Sequence, residues 1–188
     1  MSINLKKGSS LNLTKKEPGL KKVLIGLGWE NIKSNPLDLD ASVFMTNSAG
    51  KLPKEEFFVF YNNKNSPDGS VKHFGDSRTG ISDDDADDEV IAFNMENVDP
   101  TITEILVYVT INDAASKGHT FGKLSNAFVR IVNAETNVEI CKYDLDAENT
   151  SDTEVLFGKL VKTDSDWTFI AMGQGTASGL ESIVNLYI

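Results

Sequence analysis

Two aspartates in a segment of alternating apolar and polar residues are the first candidates for chemistry. The alternation over residues 37–43 predicts a β-strand in which Asp38, Asp40 and Ser42 point away from the apolar face. Carboxylates two residues apart on a strand lie about 7 Å from each other, given a rise of about 3.3 Å per residue. This spacing suits two carboxylates that flank one hard cation or bridge two, and an ordinary solvated strand face explains the pattern equally well.

A turn-rich segment follows at residues 61–70. Its Pro67-Asp68-Gly69 tripeptide predicts a tight turn between two strands. The segment is also dense in amide, hydroxyl and carboxylate oxygens, and the glycine allows its carbonyl to turn toward a metal ion. It therefore has two interpretations, a plain hairpin and a source of oxygen ligands.

The acidic charge of the chain is concentrated just after this turn. Between Asp68 and Glu89 there are eight acids and two bases, so this stretch carries −6 of the net charge of −10. Two like charges 4 Å apart repel by about 1 kcal/mol even in water, so an acidic loop that is held against a fold requires a cation. Most acidic runs are solvated surface, but this one ends directly in an apolar strand.

Calcium is the cation that this loop suits best. It takes about six to eight oxygen ligands, whereas Mg²⁺ prefers few carboxylates and keeps its waters. The loop is not an EF-hand, because Asp83, Asp85 and Asp87 are not followed by the required Gly and distal Glu. The sequence therefore predicts a calcium site of a different geometry.

Short segments rich in β-branched and aromatic residues, bounded by turn residues, recur along the whole chain. The predicted strands are Val23–Trp29, Leu37–Met45, Phe57–Tyr61, Ser70–Phe74, Val90–Met95, Ile105–Ile111, Ala127–Val132, Glu139–Leu145, Val155–Val161 and Trp167–Met172. Such a series predicts an all-β fold, a β-sandwich of two mainly antiparallel sheets. Short peripheral helices are predicted at Asp113–Lys117, with Asp113 as N-cap, and at Leu180–Leu186. In the first strand, Gly26 and Gly28 share one face, where we expect them to let another backbone approach.

Composition limits the classes of function. The charge of −10 disfavours nucleic acid and anionic membrane surfaces as partners. No stretch has the roughly 20 apolar residues of a membrane span, and the N-terminus lacks a secretory signal, so we expect a cytoplasmic protein without membrane insertion. A single cysteine, Cys141, cannot form an intramolecular disulfide or a dithiol redox pair. We expect residues 1–188 to form one domain.

The motifs together resemble the TerD family, named for bacterial tellurite resistance. The matching stretches are 26–29, 38–44, 58–63, 66–71, His73, 75–76, 79–80, 87–89, 109–111, 113–114, 121–122, 126–130 and 173–175. They span nearly the whole chain and occur in the family's order. The resemblance implies a β-sandwich that binds Ca²⁺ through loops at one end, an association with stress responses, and no established catalytic residues.

The resemblance also implies a ligand set. The predicted metal ligands are Asp38, Asp40, Asn62, Asn63, Asp68, the Gly69 carbonyl, Asp76, Asp85, Asp87, Asp88 and Glu89. The segment 82–89 is about two residues longer than the family's usual Gly-Asp-Gly-Asp-Asp-Glu ending and lacks both glycines. The assignment among Asp83, Asp84, Asp85 and Asp87 is therefore open.

Three functions are compatible with these features. The first is a non-enzymatic calcium-binding module, with two Ca²⁺ ions as cofactors, that presents a calcium-ordered surface to other tellurite-resistance or stress proteins. The second is a binding protein for a small ligand such as a cyclic nucleotide, since residues 173–179 superficially resemble a phosphate-binding loop, although their spacing is wrong for one. The third is an oxyanion-processing enzyme, which a lone cysteine and a −6 loop both disfavour.

Overall fold

Two six-stranded sheets make up the protein. The computed structural model describes residues 2–31, 37–75, 87–145 and 151–188. Sheet A runs in the order β1 (Ile3–Leu5), β10 (Val138–Asp144), β9 (Leu124–Asn133), β3 (Lys22–Asn31), β7 (Glu89–Asn94) and β6 (Val71–His73). Sheet B runs in the order β2 (Ser10–Asn12), β12 (Asp166–Thr176), β11 (Glu154–Thr163), β8 (Ile102–Ile111), β4 (Leu39–Asn47) and β5 (Phe58–Val59). Among the described strands, only β1 and β10 pair in parallel.

The predicted β-sandwich is confirmed, with corrections at its edges. The segment predicted as a strand from Phe57 begins as a 3-10 turn, and only β5 within it pairs with β4. The short strands β1 and β2 and the helix α1 (Leu13–Lys16) were not predicted. Three-residue edge strands carry too little pattern of their own, because partners distant in sequence define them.

The core lies between the inward faces of the two sheets. Alternate residues of β3 (Val23, Ile25 and Leu27) and of β4 (Leu39 and Ala41) are buried there. This alternation follows from the period of two along a strand and confirms the predicted faces. It also fixes the opposite face of β4, on which Asp40 lies.

The two glycines of β3 accept side chains, not a second backbone. A Cβ at Gly26 would lie 2.2 Å from a carboxylate oxygen of Asp87, and one at Gly28 would lie 2.4 Å from the ring of Phe128. The expectation of a close backbone was therefore wrong. Cross-strand neighbours reach over β3 and fill the space above each glycine.

Two further helices occupy the surface. The helix α2 (Ala114–Lys117) follows Asp113, which has a left-handed backbone with φ 53° and makes no capping hydrogen bond with its side chain. Its carboxylate lies 3.4 Å from Lys117 instead, so the predicted side-chain cap was wrong.

The helix α3 (Leu180–Tyr187) packs on the outer face of sheet B against Phe44 and Tyr108. In the described ranges, no helix has the length and apolar character of a membrane span.

Candidate metal site

The starts of β4 and β7 and the end of β6 lie around one cleft. This cleft has a volume of about 400 Å³. It is lined by Asp38, Asp40, Tyr61, Lys64, His73, Gly75, Glu89 and Asn112, and we call it the acidic cleft. It brings together acids from both sheets, because Asp40 belongs to sheet B and Glu89 to sheet A.

The cleft exists because β5 is short. It pairs only with Val43 and Phe44, so among the described strands none pairs with this edge of β4 at Ala41. Side chains of sheet A take its place: the Ala41 N–H donates to Glu89 Oε2, and the Ala41 carbonyl accepts from His73 Nε2 at 3.0 Å. A buried backbone group must find a partner, and these two contacts clamp the sheets together at the cleft.

The hydrogen bonds of His73 define its tautomer. The Gly75 N–H donates to His73 Nδ1 at 2.9 Å, so this nitrogen is an acceptor and Nε2 carries the proton. The ring is almost fully buried, and its Nε2 lies 3.7 Å from Glu89 Oε2. His73 therefore acts as a link between β6 and β4, with both ring nitrogens used by the fold.

Register sets the outer rim of the cleft. Leu39 pairs with Ile111 across β4 and β8, which brings the residues just beyond them, Asp38 and Asn112, side by side. The Asn112 amide donates to Asp38 Oδ2 at 3.1 Å, and its backbone N–H donates to the Asp38 carbonyl at 2.8 Å. Asp38 is exposed and Asp40 is half-buried, so both lie where a cation could reach them from solvent.

Asp87 and Asp88 have protein partners outside the cleft lining. Asp87 forms a two-pronged ion pair with Arg130 on the outer face of sheet A, with N–O distances of 2.8 and 3.1 Å. Burial raises the pKa of Asp87, and the hydrogen bonds and charge of Arg130 oppose this shift. Asp88 accepts from the Trp29 N–H at 2.8 Å. These acids tie the start of β7 to β3 and β9.

Asp68 is an internal anchor of its turn. Its Oδ1 accepts from Ser66 Oγ at 2.6 Å and from the Ser70 N–H at 2.9 Å, and its Oδ2 accepts from the Asp99 N–H at 2.9 Å. Burial acts to raise the pKa of Asp68, but these hydrogen bonds outweigh it and hold the pKa below the ordinary value. The carboxylate is thus occupied by the fold.

The other predicted ligands from this loop are not among the residues that line the acidic cleft. The Asn63 amide donates to the carbonyls of Glu56 and Phe58 at 3.0 and 2.7 Å. Asn62 is exposed, and Gly69 occupies the turn with φ +69°. The predicted ligands Asp76 and Asp85 lie outside the described residues. Within the described ranges, no three His, Cys, Asp or Glu side chains form a group that could hold a metal ion.

Five residues of the cleft were not predicted as site residues. They are Tyr61, Lys64, His73, Gly75 and Asn112. Asn112 could have been found from the sequence, because an antiparallel β4–β8 pair places the end of one strand beside the start of the other. Nothing local in the sequence indicated Lys64, because its position depends on how the 61–70 turn packs.

Comparisons with known proteins agree with this architecture. A sequence model described as the TerD domain matches residues 1–187. The chain belongs to the TerD family. It is 42% identical over 189 residues to "Tellurium resistance protein TerD" of Serratia marcescens, covering 100% of this chain and 97% of that protein. It is also 42% identical over 190 residues to "General stress protein 16U" of Bacillus subtilis, with the same coverage.

A solved structure supports the fold. A homologue of the telluride resistance protein TerD from Streptomyces coelicolor A3(2) superposes with a TM-score of 0.66 at 22% identity, and the match covers 88% of this chain and 96% of that one. At this identity the likeness shows the TerD fold alone. The link to tellurite resistance and stress response comes from the sequence comparisons with the TerD relatives.

Proposed function

We propose that this chain is a non-enzymatic, calcium-binding stress-response protein that presents a calcium-ordered surface to other stress or tellurite-resistance proteins. One observation supports it above the others: acids far apart in sequence, Asp38 and Asp40 from one sheet and Glu89 from the other, line a single cleft. Lys64 is the one Lys or Arg among the described residues that line it. Such a cleft attracts a divalent cation.

The donor atoms of the cleft suit calcium. Carboxylate oxygens and the Asn112 amide oxygen are hard ligands, and sulfur does not line the cleft. Calcium needs about six to eight oxygens, so these side chains supply part of a coordination shell. The rest would come from water and from the acidic segment that joins Gly75 to Asp87 in the sequence, including the predicted ligands Asp76 and Asp85. Bound Ca²⁺ would supply positive charge and rigidity.

The alternative functions find less support. Burial raises the pKa of Cys141 to about 12, so its thiol is neither accessible nor ionised for tellurite reduction. The 173–179 segment is the end of β12 and a turn into α3, and its Ser178 N–H already donates to Glu154 Oε2 at 3.0 Å. A phosphate would have to displace that carboxylate. The names of the relatives do not suggest an enzyme.

Calcium titration of chelator-treated protein tests the proposal. We expect the melting temperature to rise, because a ligand that binds only the folded state stabilises it by about 2.7 kcal/mol at a hundred times its dissociation constant. Native mass spectrometry of the same samples counts the ions, and we expect two. Magnesium at equal concentration is the control and should give a smaller shift. Unchanged mass and melting temperature in calcium would refute the proposal.

A further inference from the structure

A second cavity lies on the outer face of sheet B, next to the acidic cleft. It has a volume of about 660 Å³, within the range of small-molecule sites. Its floor is formed by Asp40, Ser42, Thr110 and Glu154, and its walls by Phe60 and Tyr61, residues 112–116, Thr153 and residues 177–180. We call it the outer pocket.

The floor of the outer pocket is polar and buried. Thr110 pairs with Asp40 on one side and with Glu154 on the other, so the polar side chains form a row across three strands. Ser42, Thr110 and Glu154 are 2%, 7% and 4% exposed. Farther along the same face the residues are apolar and α3 covers them, but α3 begins only at Leu180. The polar end of the face is therefore left as a recess.

One group on this floor lacks a partner. Ser42 Oγ is buried and has no hydrogen-bond partner in the part of the chain that the structure describes. Such a group costs stability unless something in the cavity completes it. Ser42 lines the cavity, and its fully buried hydroxyl would reach a bound molecule by rotation of the side chain.

The charges around the outer pocket favour a cation. Its acidic lining residues are Asp40, Asp113 and Glu154, and Lys, Arg and His are absent from the described lining. Glu154 is held in place by Thr176 Oγ1 at 3.1 Å and by the Ser178 N–H at 3.0 Å. An anion would meet carboxylates at this floor, so nucleotides and other phosphates are disfavoured.

Aromatic rings form one wall. Phe58 stacks on Phe60 with a centroid distance of 4.5 Å, and Phe60 meets Tyr61 edge-to-face at 5.2 Å. Tyr61 is 53% exposed, which is unusual for so large a ring. Rings next to carboxylates are well suited to an organic cation, which is attracted to the face of a ring as well as to the acids.

We propose that the outer pocket binds small organic amines. One ammonium group lies over the floor at Ser42, which turns its hydroxyl to accept a hydrogen bond. Asp40 on the same strand face and Glu154 across β8 supply the negative charge. The carbon chain of the amine lies against Phe60 and Tyr61. The pocket shares Asp40, Tyr61 and Asn112 with the acidic cleft, but Ser42, Glu154 and Phe60 do not line that cleft, so amine binding does not require bound calcium.

Three matched probes test the proposal by calorimetry on the full chain. Cadaverine, pentanediol and glutarate have a five-carbon skeleton that ends in ammonium, hydroxyl and carboxylate groups respectively. We expect cadaverine to bind most tightly, pentanediol more weakly and glutarate not at all, both with calcium and with chelator. Absence of cadaverine binding under both conditions, or glutarate binding as tight as that of cadaverine, would overturn the proposal.

Ser42→Ala and Thr46→Val form the matched pair of variants. Thr46 also has a buried hydroxyl without a partner in the described chain and lies on the same strand, but it does not line the outer pocket. We expect Ser42→Ala to weaken cadaverine binding about 3- to 10-fold and Thr46→Val to leave it unchanged. Equal affinities in the two variants would contradict the assignment of Ser42. Calcium titration of Ser42→Ala, expected to match wild type, separates this result from any failure of the calcium site.

Discussion

The carboxylates of the acidic cleft and those on the outer face of sheet A differ in their cationic partners. The cleft is lined by Asp38, Asp40 and Glu89, with Lys64 as the single Lys or Arg among the described lining residues. On the outer face of sheet A, Asp87 has a guanidinium partner, Arg130, that grips both of its oxygens. The chain thus supplies the counter-charge of Asp87 itself, whereas at the cleft we propose that a bound ion adds to it. Acids that look alike in the sequence divide into structural anchors and candidate ligands.

The largest expected effect is a loss of folding stability when Arg130 is replaced. Arg130→Met leaves the Asp87 carboxyl group, only 6% exposed, without its guanidinium partner, so we expect a loss of about 3–5 kcal/mol in the free energy of unfolding. Urea denaturation measures it. Glu139→Gln removes the more distant contact of Arg130, at 3.6 Å, and should cost less than about 1 kcal/mol. A loss for Arg130→Met as small as that of the control would mean that Asp87 is not an anchor.

The next largest effect concerns the cleft. Asp40→Asn removes one of the charges that a cation would meet, so we expect calcium affinity to fall at least about tenfold, or about 1.4 kcal/mol. Calorimetry in calcium measures this. Asp68→Asn is the matched variant, since Asp68 was predicted from the sequence as a ligand but its oxygens are used within its turn. If Asp68→Asn lowered the affinity as much as Asp40→Asn, the division into anchors and ligands would fail.

Asp68 should instead matter for stability. Asp68→Ala leaves the Asp99 and Ser70 N–H groups without their acceptor, and we expect a loss of about 1–3 kcal/mol. The pKa of Asp68 is lower in the folded than in the unfolded protein, so its contribution is fully present above the ordinary value of 3.8 and is lost as pH falls through the folded value.

Denaturation at several pH values checks this expectation. The difference between wild type and Asp68→Ala should be constant near neutral pH and shrink below about pH 4. Asp99→Ala should show the same direction of pH dependence, because the half-buried Asp99 carboxylate accepts hydrogen bonds from Thr101 that lower its pKa. A difference that grew on acidification would contradict the role given to Asp68.

The smallest effect is expected at Lys64. Lys64→Gln removes a positive charge from the lining of the acidic cleft, so calcium should bind about two- to fivefold more tightly at low salt, and the gain should shrink at high salt. Lys72→Gln is the control, because Lys72 is exposed and lies over the Phe74 ring, outside the cleft lining. Weaker calcium binding in Lys64→Gln would show that the cation does not occupy this cleft.

Much of the fold could be predicted from the sequence because it is written in local patterns. The alternation along β3 and β4 identified the core faces, and turn residues marked the strand ends. The pairing of strands could not be predicted in this way, since it joins segments far apart in the chain. The short β5 illustrates the difference: its few residues carry little pattern, yet its early end opens the edge of β4 at which Glu89 and His73 dock.

The sequence by itself determined an excess of acidic and other oxygen-bearing side chains in a few segments, and membership of the TerD family. It could not determine which acids face a common space, because that depends on the registry of strands from two sheets and on where each cationic partner lies. In the tertiary structure Asp87 pairs with Arg130, and Asp68 accepts from backbone N–H groups. The same structure brings Asp38, Asp40 and Glu89 to one cleft. The physical reason is that a carboxylate's role follows from its nearest donors and charges, and these come from residues distant in the chain.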